Sequence, residues 1–231
     1  MNITKKKASI DFTQGDLNSG IIKFAIPFFL ASIFNELYNI TNSMIVGNYI
    51  STKALSAVSA CTWICNIFNY TFFGLGTGAG IVIANLYGAK DKNGMKESLK
   101  ESIIVSMFFT FIWVLLLFLL LPVIIPNFGI EYASEGYAIV KRGIIITLAF
   151  LPIYLVAKCL TNFYQSTGHF KYTVALSILP DSVIYPISLF FLIKIFENKY
   201  DAVWLTYGGC YLVFALIAYL IYVIKNKKFK W

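Results

Sequence analysis

Six long apolar runs dominate this sequence of 231 residues. Each run has about 20 residues or more, the length that an α-helix needs to cross the hydrocarbon layer of a bilayer. Runs of this length and polarity therefore predict transmembrane helices. The predicted spans are residues 21–46, 56–84, 102–125, 143–165, 172–195 and 202–224.

Little sequence remains between these spans for a separate soluble domain. Hydrophobic residues make up 58% of the chain and charged residues only 13%, which is outside the usual composition of soluble domains. We therefore predict an all-α integral membrane protein that crosses the cell membrane several times. It would comprise an N-terminal segment over 1–20, a six-helix bundle over 21–225 and a basic tail over 226–231.

Lysine and arginine are distributed unevenly between the two ends of the spans. When the loops are assigned to alternating sides, thirteen basic residues fall on one side and five on the other, while Lys158 lies within the fourth span. Cytoplasmic loops carry the excess of Lys and Arg in membrane proteins, so both termini are predicted to be cytoplasmic. Topology and anionic membrane lipid then account for the net charge of +8, which gives no reason to expect a nucleic-acid partner.

Two carboxylates lie near the middle of predicted spans, Glu36 in the first and Asp181 in the fifth. A carboxylate at the bilayer centre costs about 2.5–3.5 kcal/mol on insertion scales, so such groups face protein or water. A carboxyl group withdrawn from water also binds a proton more readily. If ion binding and release favour different conformations, such a group couples two fluxes. We expect Glu36 and Asp181 to be the cation-coupling residues.

Polar side chains accompany Glu36 along one face of the first span, within about 120° of arc at about 100° per residue. A second polar strip, formed by Thr62, Asn66 and Asn69, recurs at i, i+4 and i+7 in the second span. Together these strips predict an internal, hydrated cavity. We expect its lining to include Asn35, Asn39, Asn42, Asn66, Asn69 and Tyr185.

A purely structural interpretation of the same polar residues is also open. Asparagine and glutamate side chains hydrogen-bond between membrane helices and hold them together. Lys158 is moreover placed to neutralise either Glu36 or Asp181.

Glycine is concentrated in the second span, in the stretch FFGLGTGAGIVIANLYGAKD at residues 72–91. Gly74 and Gly78 share one helix face, and Gly76 and Gly80 lie on a face rotated from it by about 160°. Small residues let membrane helices approach closely. The pattern predicts a helix packed tightly on two sides, which can shift between two packings as alternating access requires.

Prolines bracket the carboxylate near the middle of the fifth predicted span, with Pro180 before Asp181 and Pro186 after it. Proline in a membrane helix leaves a backbone carbonyl that must find another partner. We expect a locally opened backbone here that lines the cavity and serves as a hinge.

Four cysteines, Cys61, Cys65, Cys159 and Cys210, all fall within predicted spans. Cysteine in such positions packs as a small apolar side chain. A metal site is not expected, because the single histidine, His169, lies in a loop far from the cysteine pair of the second span.

Three stretches resemble the multidrug and toxic compound extrusion (MATE) transporters. The segment GDLNSGIIKFAIP resembles the start of the family's first helix, LYNITNSMIVGNYISTKALSAVS its first helix and turn, and FFGLGTGAGIVIANLYGAKD its glycine-rich second helix. The similarity is strongest over 15–100 and looser over 137–225. It implies a membrane transporter and not an enzyme: a proton- or sodium-coupled antiporter of small amphipathic or cationic molecules, with no cofactor beyond the coupling ion.

This chain departs from the family pattern in its coupling residues. The family's first helix usually carries an aspartate in a V-D-T/S motif, and the matching residues here are Thr41, Asn42 and Ser43. The titrating group is therefore missing from that position, since an asparagine amide does not ionise. The expected coupling through Glu36 and Asp181 is therefore inferred from the residues of this sequence, and the family resemblance does not imply it.

The second departure is length. Family members have twelve helices in two bundles related by an axis along the membrane normal, and this chain supplies one bundle. Because such an axis leaves both bundles in the same orientation, two half-size chains can replace the pair. We therefore expect a homodimer, or a pair with a second half-transporter. The alternatives are a truncated, non-transporting membrane protein that associates with a full-length relative, and an exporter of lipid-linked sugars.

Overall fold

The computed structural model describes residues 17–132 and 134–229. Within its helices the side chains of some residues fall outside this description, among them Asp181 and every residue from 225 onward. Most of the predicted N-terminal segment over 1–20 and the side chains of the predicted tail over 226–231 consequently lie outside the described part of the chain.

The described chain is helical almost throughout, as predicted. Three of the eight elements are short and follow one another directly: two helices and the π-helical turn between them, which together form one helical segment. The elements are α1 (Leu17–Tyr49), α2 (Thr52–Gly88), α3 (Lys92–Asn127), α4 (Glu135–Ser166), α5 (Phe170–Ile178), the π-helical turn (Leu179–Ile184), α6 (Tyr185–Ile195) and α7 (Lys199–Phe229).

Five segments of the described chain are long and apolar enough to cross a membrane, and they coincide with the second to sixth predicted spans. The first predicted span lies within α1, a helix of 33 residues in which several side chains are outside the described part. The five segments are Leu55–Gly88, Lys92–Asn127, Glu135–Ser166, Lys171–Ile195 and Lys199–Ile224.

Two of the helix starts have side-chain caps that the sequence supplies. The carboxylate of Asp91 accepts a hydrogen bond of 2.9 Å from the backbone N–H of Gly94 at the start of α3. The hydroxyl of Ser134 accepts one of 3.1 Å from the N–H of Tyr137 at the start of α4. Each cap satisfies a backbone donor that the first helical turn leaves without a partner.

Helix α4 lies at the centre of the bundle and packs against α2, α3, α5 and α7. Fourteen of its residues are buried. They contribute to two apolar clusters, one that includes Ile64, Ile144 and Trp204 and another that includes Leu160 and Phe214. In lipid this close packing, together with hydrogen bonds between helices, holds the bundle together.

The four glycines between residues 74 and 80 of α2 differ in what surrounds them. A Cβ placed on Gly76 would overlap the amide of Asn162, and one on Gly80 would lie 2.8 Å from the hydroxyl of Ser166, both on α4. One glycine face of α2 therefore permits the close approach of α4. On the other face, added Cβ atoms at Gly74 and Gly78 meet no described atom within 4 Å.

The backbone around Asp181 leaves α-helical geometry in a π-helical turn. Pro180 is the second residue of this turn and Pro186 is the second residue of α6. Proline lacks a backbone N–H, and a local π adjustment is one of the ways in which a membrane helix satisfies the backbone groups that this frees. The turn is followed directly by Tyr185, which is fully buried.

Candidate functional site

A cavity of about 570 Å³ opens between α1, α2, α4, α6 and α7. Its volume is within the range of sites that bind drug-sized molecules, about 300–1,000 Å³. The structure places Glu36 and all six residues predicted to line a cavity at its border, although they come from three helices. These are Asn35, Glu36, Asn39 and Asn42 on α1, Asn66 and Asn69 on α2, and Tyr185 on α6.

Glu36 is the one carboxylate among the described residues that border the cavity. Its side chain is exposed, and the amide of Asn39 donates a hydrogen bond of 3.5 Å to Glu36 Oε2. An exposed carboxylate with a single long hydrogen bond retains room for a cation or a proton. Asp181, the other predicted coupling residue, has its backbone in the π-helical turn, and its side chain lies outside the described residues.

Asn42 connects three helices at the inner end of the cavity. Its amide nitrogen donates to Tyr207 Oη on α7 at 3.2 Å, and its amide oxygen accepts from Tyr185 Oη on α6 at 3.2 Å. Asn42 is 6% exposed. An amide serves as donor and acceptor at once, whereas an ionised carboxylate only accepts. At the position where the resemblance to MATE transporters implies an aspartate, this chain thus has a neutral hydrogen-bond bridge.

Aromatic rings surround this bridge. The ring of Tyr185 lies edge-on to Tyr38, with centroids 5.1 Å apart, and 4.7 Å from the ring of Tyr207. Trp204 stacks on Tyr207 at 6.3 Å. Such contacts add to packing, and the faces of aromatic rings attract cations. Further aromatic residues border the cavity at Trp63, Tyr70, Tyr154 and Tyr211.

The sequence reasoning identified only Tyr185 among these aromatic residues. A signal for the others was present in the last span, where Trp204, Tyr207 and Tyr211 recur at i, i+3 and i+7 on one helix face. The same helical spacing links Thr147 and Tyr154 on α4, both of which border the cavity.

A basic residue lies beside the aromatic wall. The ammonium of Lys158 is 5.1 Å from the ring centroid of Tyr154 and 5.6 Å from that of Phe214. Both distances are within the range of cation–π attraction, about 6 Å. The aromatic faces of Tyr154 and Phe214 therefore help to hold a positive charge inside the bundle.

The predicted hinge residues lie away from the cavity. Gly74, Gly76, Gly78, Gly80, Pro180 and Pro186 are not among the described residues that border it, and their role in conformational exchange stays a prediction. Three of the cysteines, Cys61, Cys65 and Cys210, do border the cavity, and all four cysteines are free thiols.

Comparison with known proteins relates this arrangement to a family of transporters. Residues 27–190 match the MatE family. No curated protein sequence matches the chain. Among solved structures, it is similar to a multidrug resistance MATE family transporter of the MOP superfamily in an outward-facing conformation, with a TM-score of 0.78 and 16% identity over 99% of this chain and 50% of that one.

Two further solved structures have the same fold. A MOP superfamily transporter from Pyrococcus furiosus, described as having a binding pocket of reversed polarity, gives a TM-score of 0.79 and 20% identity over 96% of this chain and 48% of that one. A MATE protein in complex with MaD3S gives a TM-score of 0.80 and 19% identity over 96% of this chain and 49% of that one. This chain therefore spans about half the length of the solved transporters that it matches. From the family match and the shared fold, the chain belongs to the MatE family of membrane transporters, which are not enzymes.

Proposed function

We propose that this chain is a half-size, cation-coupled exporter of small amphipathic or cationic molecules. The observation that carries the proposal is the cavity of about 570 Å³, in which one carboxylate, Glu36, faces aromatic rings and uncharged amides. Cation–π attraction and one negative charge favour an organic cation over an anion. The aromatic walls supply the apolar surface that an amphipathic molecule requires.

Glu36, which borders the described cavity, is the first proposed coupling residue. Asp181 is the second. The amide of Asn42 does not titrate, so a coupling proton has to be bound elsewhere. Glu36 is exposed and makes a single long hydrogen bond, to Asn39. A cation and a substrate that compete for this carboxylate would each stabilise a different state of the bundle, as antiport requires.

The conformational change is proposed to involve the glycines of α2 and the prolines of the fifth span. Gly76 and Gly80 leave room on α2 for the side chains of Asn162 and Ser166 of α4, and this close contact is where the two helices would shift against each other. The π-helical turn between Pro180 and Pro186 interrupts regular hydrogen bonding next to Tyr185. A shift there would be transmitted to Asn42 through the Tyr185 hydroxyl.

The protein is proposed to act in the cell membrane, with both termini in the cytoplasm, beside a second six-helix bundle. The second bundle would be another copy or a separate half-transporter. The support for a second bundle is the fold comparison, in which this chain spans 50% of the length of a solved transporter.

A transport assay in proteoliposomes tests this function. Wild-type protein is expected to move a fluorescent organic cation when a proton or sodium gradient is imposed, and Glu36→Gln is expected to reduce the coupled rate at least about tenfold, since it removes the one described charge in the cavity. Glu36→Asp is the control, because it keeps the charge. Asp181→Asn is measured separately.

Two results would contradict the proposal. If Glu36→Gln and Asp181→Asn both keep the wild-type rate, the coupling roles are wrong. If the wild-type protein moves no substrate under either gradient, the chain is instead a non-transporting relative.

A further inference from the structure

Three of the four cysteines border the cavity, and two of them lie on the same face of α2. Cys61 and Cys65 are one helical turn apart, so their side chains project in nearly the same direction. The thiol of Cys65 is a hydrogen-bond partner of the Cys61 thiol. Cys210 borders the cavity from α7, whereas Cys159 lies against Ser106 of α3. The cavity wall at α2 therefore presents a pair of adjacent free thiols.

The two thiols are poorly placed to form a disulfide with each other. The Cβ atoms of residues four apart on a helix are about 5–6 Å from each other, whereas a disulfide requires about 3.5–4.5 Å. A direct S–S bond would therefore distort α2, which is one continuous helix here. A single atom inserted between the two sulfurs lengthens the link and removes this conflict. The pair suits a ligand that bonds to both sulfurs through one atom.

The number of thiols and their surroundings restrict which atom this is. Structural zinc takes four ligands, and within the described part of the chain no cluster of three or more histidine, cysteine or carboxylate side chains is placed to hold a metal ion. Two thiolates on a monovalent soft ion such as Cu(I) would leave a net negative charge inside the bundle, which is costly. A trivalent arsenic atom that carries one carbon substituent requires only two sulfurs and gives a neutral product.

We propose that Cys61 and Cys65 form a dithiol site for trivalent organoarsenicals that carry an aromatic group. With phenylarsine oxide, two arsenic–sulfur bonds form while the arsenic–oxygen bond breaks, and the oxygen leaves as water with the two thiol protons. Arsenic stays trivalent, so the reaction needs no oxidant or reductant. The site goes beyond the proposed transport function, because it requires only the two thiols and the cavity.

The cavity also offers apolar surface for the aromatic group. Tyr207 lies near Cys61 and stacks on Trp204, and both rings border the cavity together with Tyr211. A planar ring bonded to arsenic packs against such faces. Cys65 is partly buried and Cys61 is 3% exposed. Cys65 is therefore the thiol that the reagent reaches first, and Cys61 then completes the bridge.

Intact-mass spectrometry of the purified protein tests the site. Phenylarsine oxide is added together with excess glutathione, which displaces arsenic that is held by a single thiol. Wild-type protein is expected to retain one phenylarsenic group, because a second, intramolecular bond raises the apparent affinity about 100- to 10,000-fold. Cys61→Ser and Cys65→Ser should each lower the retained fraction at least about a hundredfold. Excess dithiothreitol should restore the original mass.

Two control variants locate the adduct. Cys159→Ser removes a buried thiol that is not among the described residues at the cavity border, and it should keep the adduct. Cys210→Ser distinguishes the α2 pair from a link between α2 and α7, and it should keep the adduct as well. Thermal unfolding of each variant establishes that it is folded. Because Cys65 is only partly buried, Cys65→Ser carries the test if Cys61→Ser does not fold.

The proposal is overturned if wild-type protein retains no phenylarsenic group, or if Cys65→Ser retains as much as wild type does. Loss of the adduct in Cys210→Ser would overturn the assignment to the α2 pair. Methylarsonous acid, which lacks the ring, should be retained about two- to tenfold less than the phenyl compound, and equal retention would contradict the role of the aromatic wall.

These measurements use no ion gradient and no transported substrate. A failure of the dithiol site would therefore leave the proposed transport function intact, and an absence of transport in proteoliposomes would leave the dithiol site intact.

Discussion

Helices α4 and α1 are of nearly equal length and differ most in their burial. Fourteen of the 32 residues of α4 are buried and form the centre of the bundle. Among the α1 side chains that the structure describes, only Asn42 and Val46 are buried. Both helices contain polar residues, yet Thr161 of α4 donates to its own backbone at Ala157 and lies away from the cavity, while Asn35, Asn39 and Asn42 of α1 border it.

The difference in burial makes α4 the scaffold of the bundle and the polar face of α1 a part of the candidate site. Substitutions in α4 should act mainly on stability, because its side chains are enclosed on several sides and interiors of this density tolerate little change in volume. Substitutions on the polar face of α1 should act mainly on transport, since few contacts are lost.

The largest effect is expected at Gly143 of α4. A Cβ there would lie 2.5 Å from ring atoms of Trp204, which is 1% exposed and has little room to move. Gly143→Ala should lower the free energy of unfolding by about 1–3 kcal/mol, measured by thermal unfolding of detergent-solubilised protein. Gly209→Ala is the control, because its added Cβ meets no described atom within 4 Å. Equal unfolding temperatures for the two variants would contradict the scaffold role of α4.

An intermediate effect is expected at Asn42, where α1 is joined to α6 and α7. Asn42→Leu removes both hydrogen bonds to Tyr185 and Tyr207. Interhelical hydrogen bonds in membrane proteins contribute about 0.6 kcal/mol each on average, so stability should fall by about 1 kcal/mol. The transport rate should fall by more than this small loss of stability would cause. A variant with wild-type transport would mean that the bridge is dispensable for the conformational change, and Val46→Ala provides a purely apolar comparison on the same helix.

The smallest change in stability is expected at Asn39, on the exposed face of α1. Asn39→Ala removes one hydrogen bond of 3.5 Å to Glu36, and exposed positions of this kind change stability by less than about 0.5 kcal/mol. The rate of cation-driven transport should nevertheless change, because the partner of the proposed coupling carboxylate is lost. The two measurements are made on the same preparation. A large fall in unfolding temperature with a normal transport rate would contradict the assignment of α4 to the scaffold and of the polar face of α1 to the site.

The helical architecture could be predicted from the sequence because lipid imposes it. A run of about 20 apolar residues has few alternatives to a membrane helix, and spans two to six coincide with helices of the structure. The polar strips were equally informative, since asparagine and glutamate within a span must face protein or water. Glu36, Asn66 and Asn69 border one cavity for this reason.

The aromatic wall was harder to predict. Tyrosine and tryptophan are compatible with lipid, with helix packing and with a cavity, so the type of residue does not reveal which surroundings it has. Tyr207 became part of the site only through its contacts with Asn42 and Tyr185, which are distant in sequence. The two glycine faces of α2 likewise looked equivalent until the position of α4 distinguished Gly76 from Gly78.

The π-helical turn has a consequence for the phase of the fifth span. A π turn contains more residues than an α turn, so the segment from Phe170 to Ile195 does not follow a single helical repeat, and residues before and after the turn point in directions that one helical wheel would not give. Removing one residue from Leu179–Ile184 should give a continuous α-helix while Tyr185 keeps nearly its present direction, because a π turn accommodates one extra residue between the helices on either side. Removing one residue from the regular helix α5 would instead rotate Tyr185 by about 100° relative to Phe170 and turn it away from Asn42. The turn is therefore the place where this span can change in length by one residue and still present Tyr185 to the site.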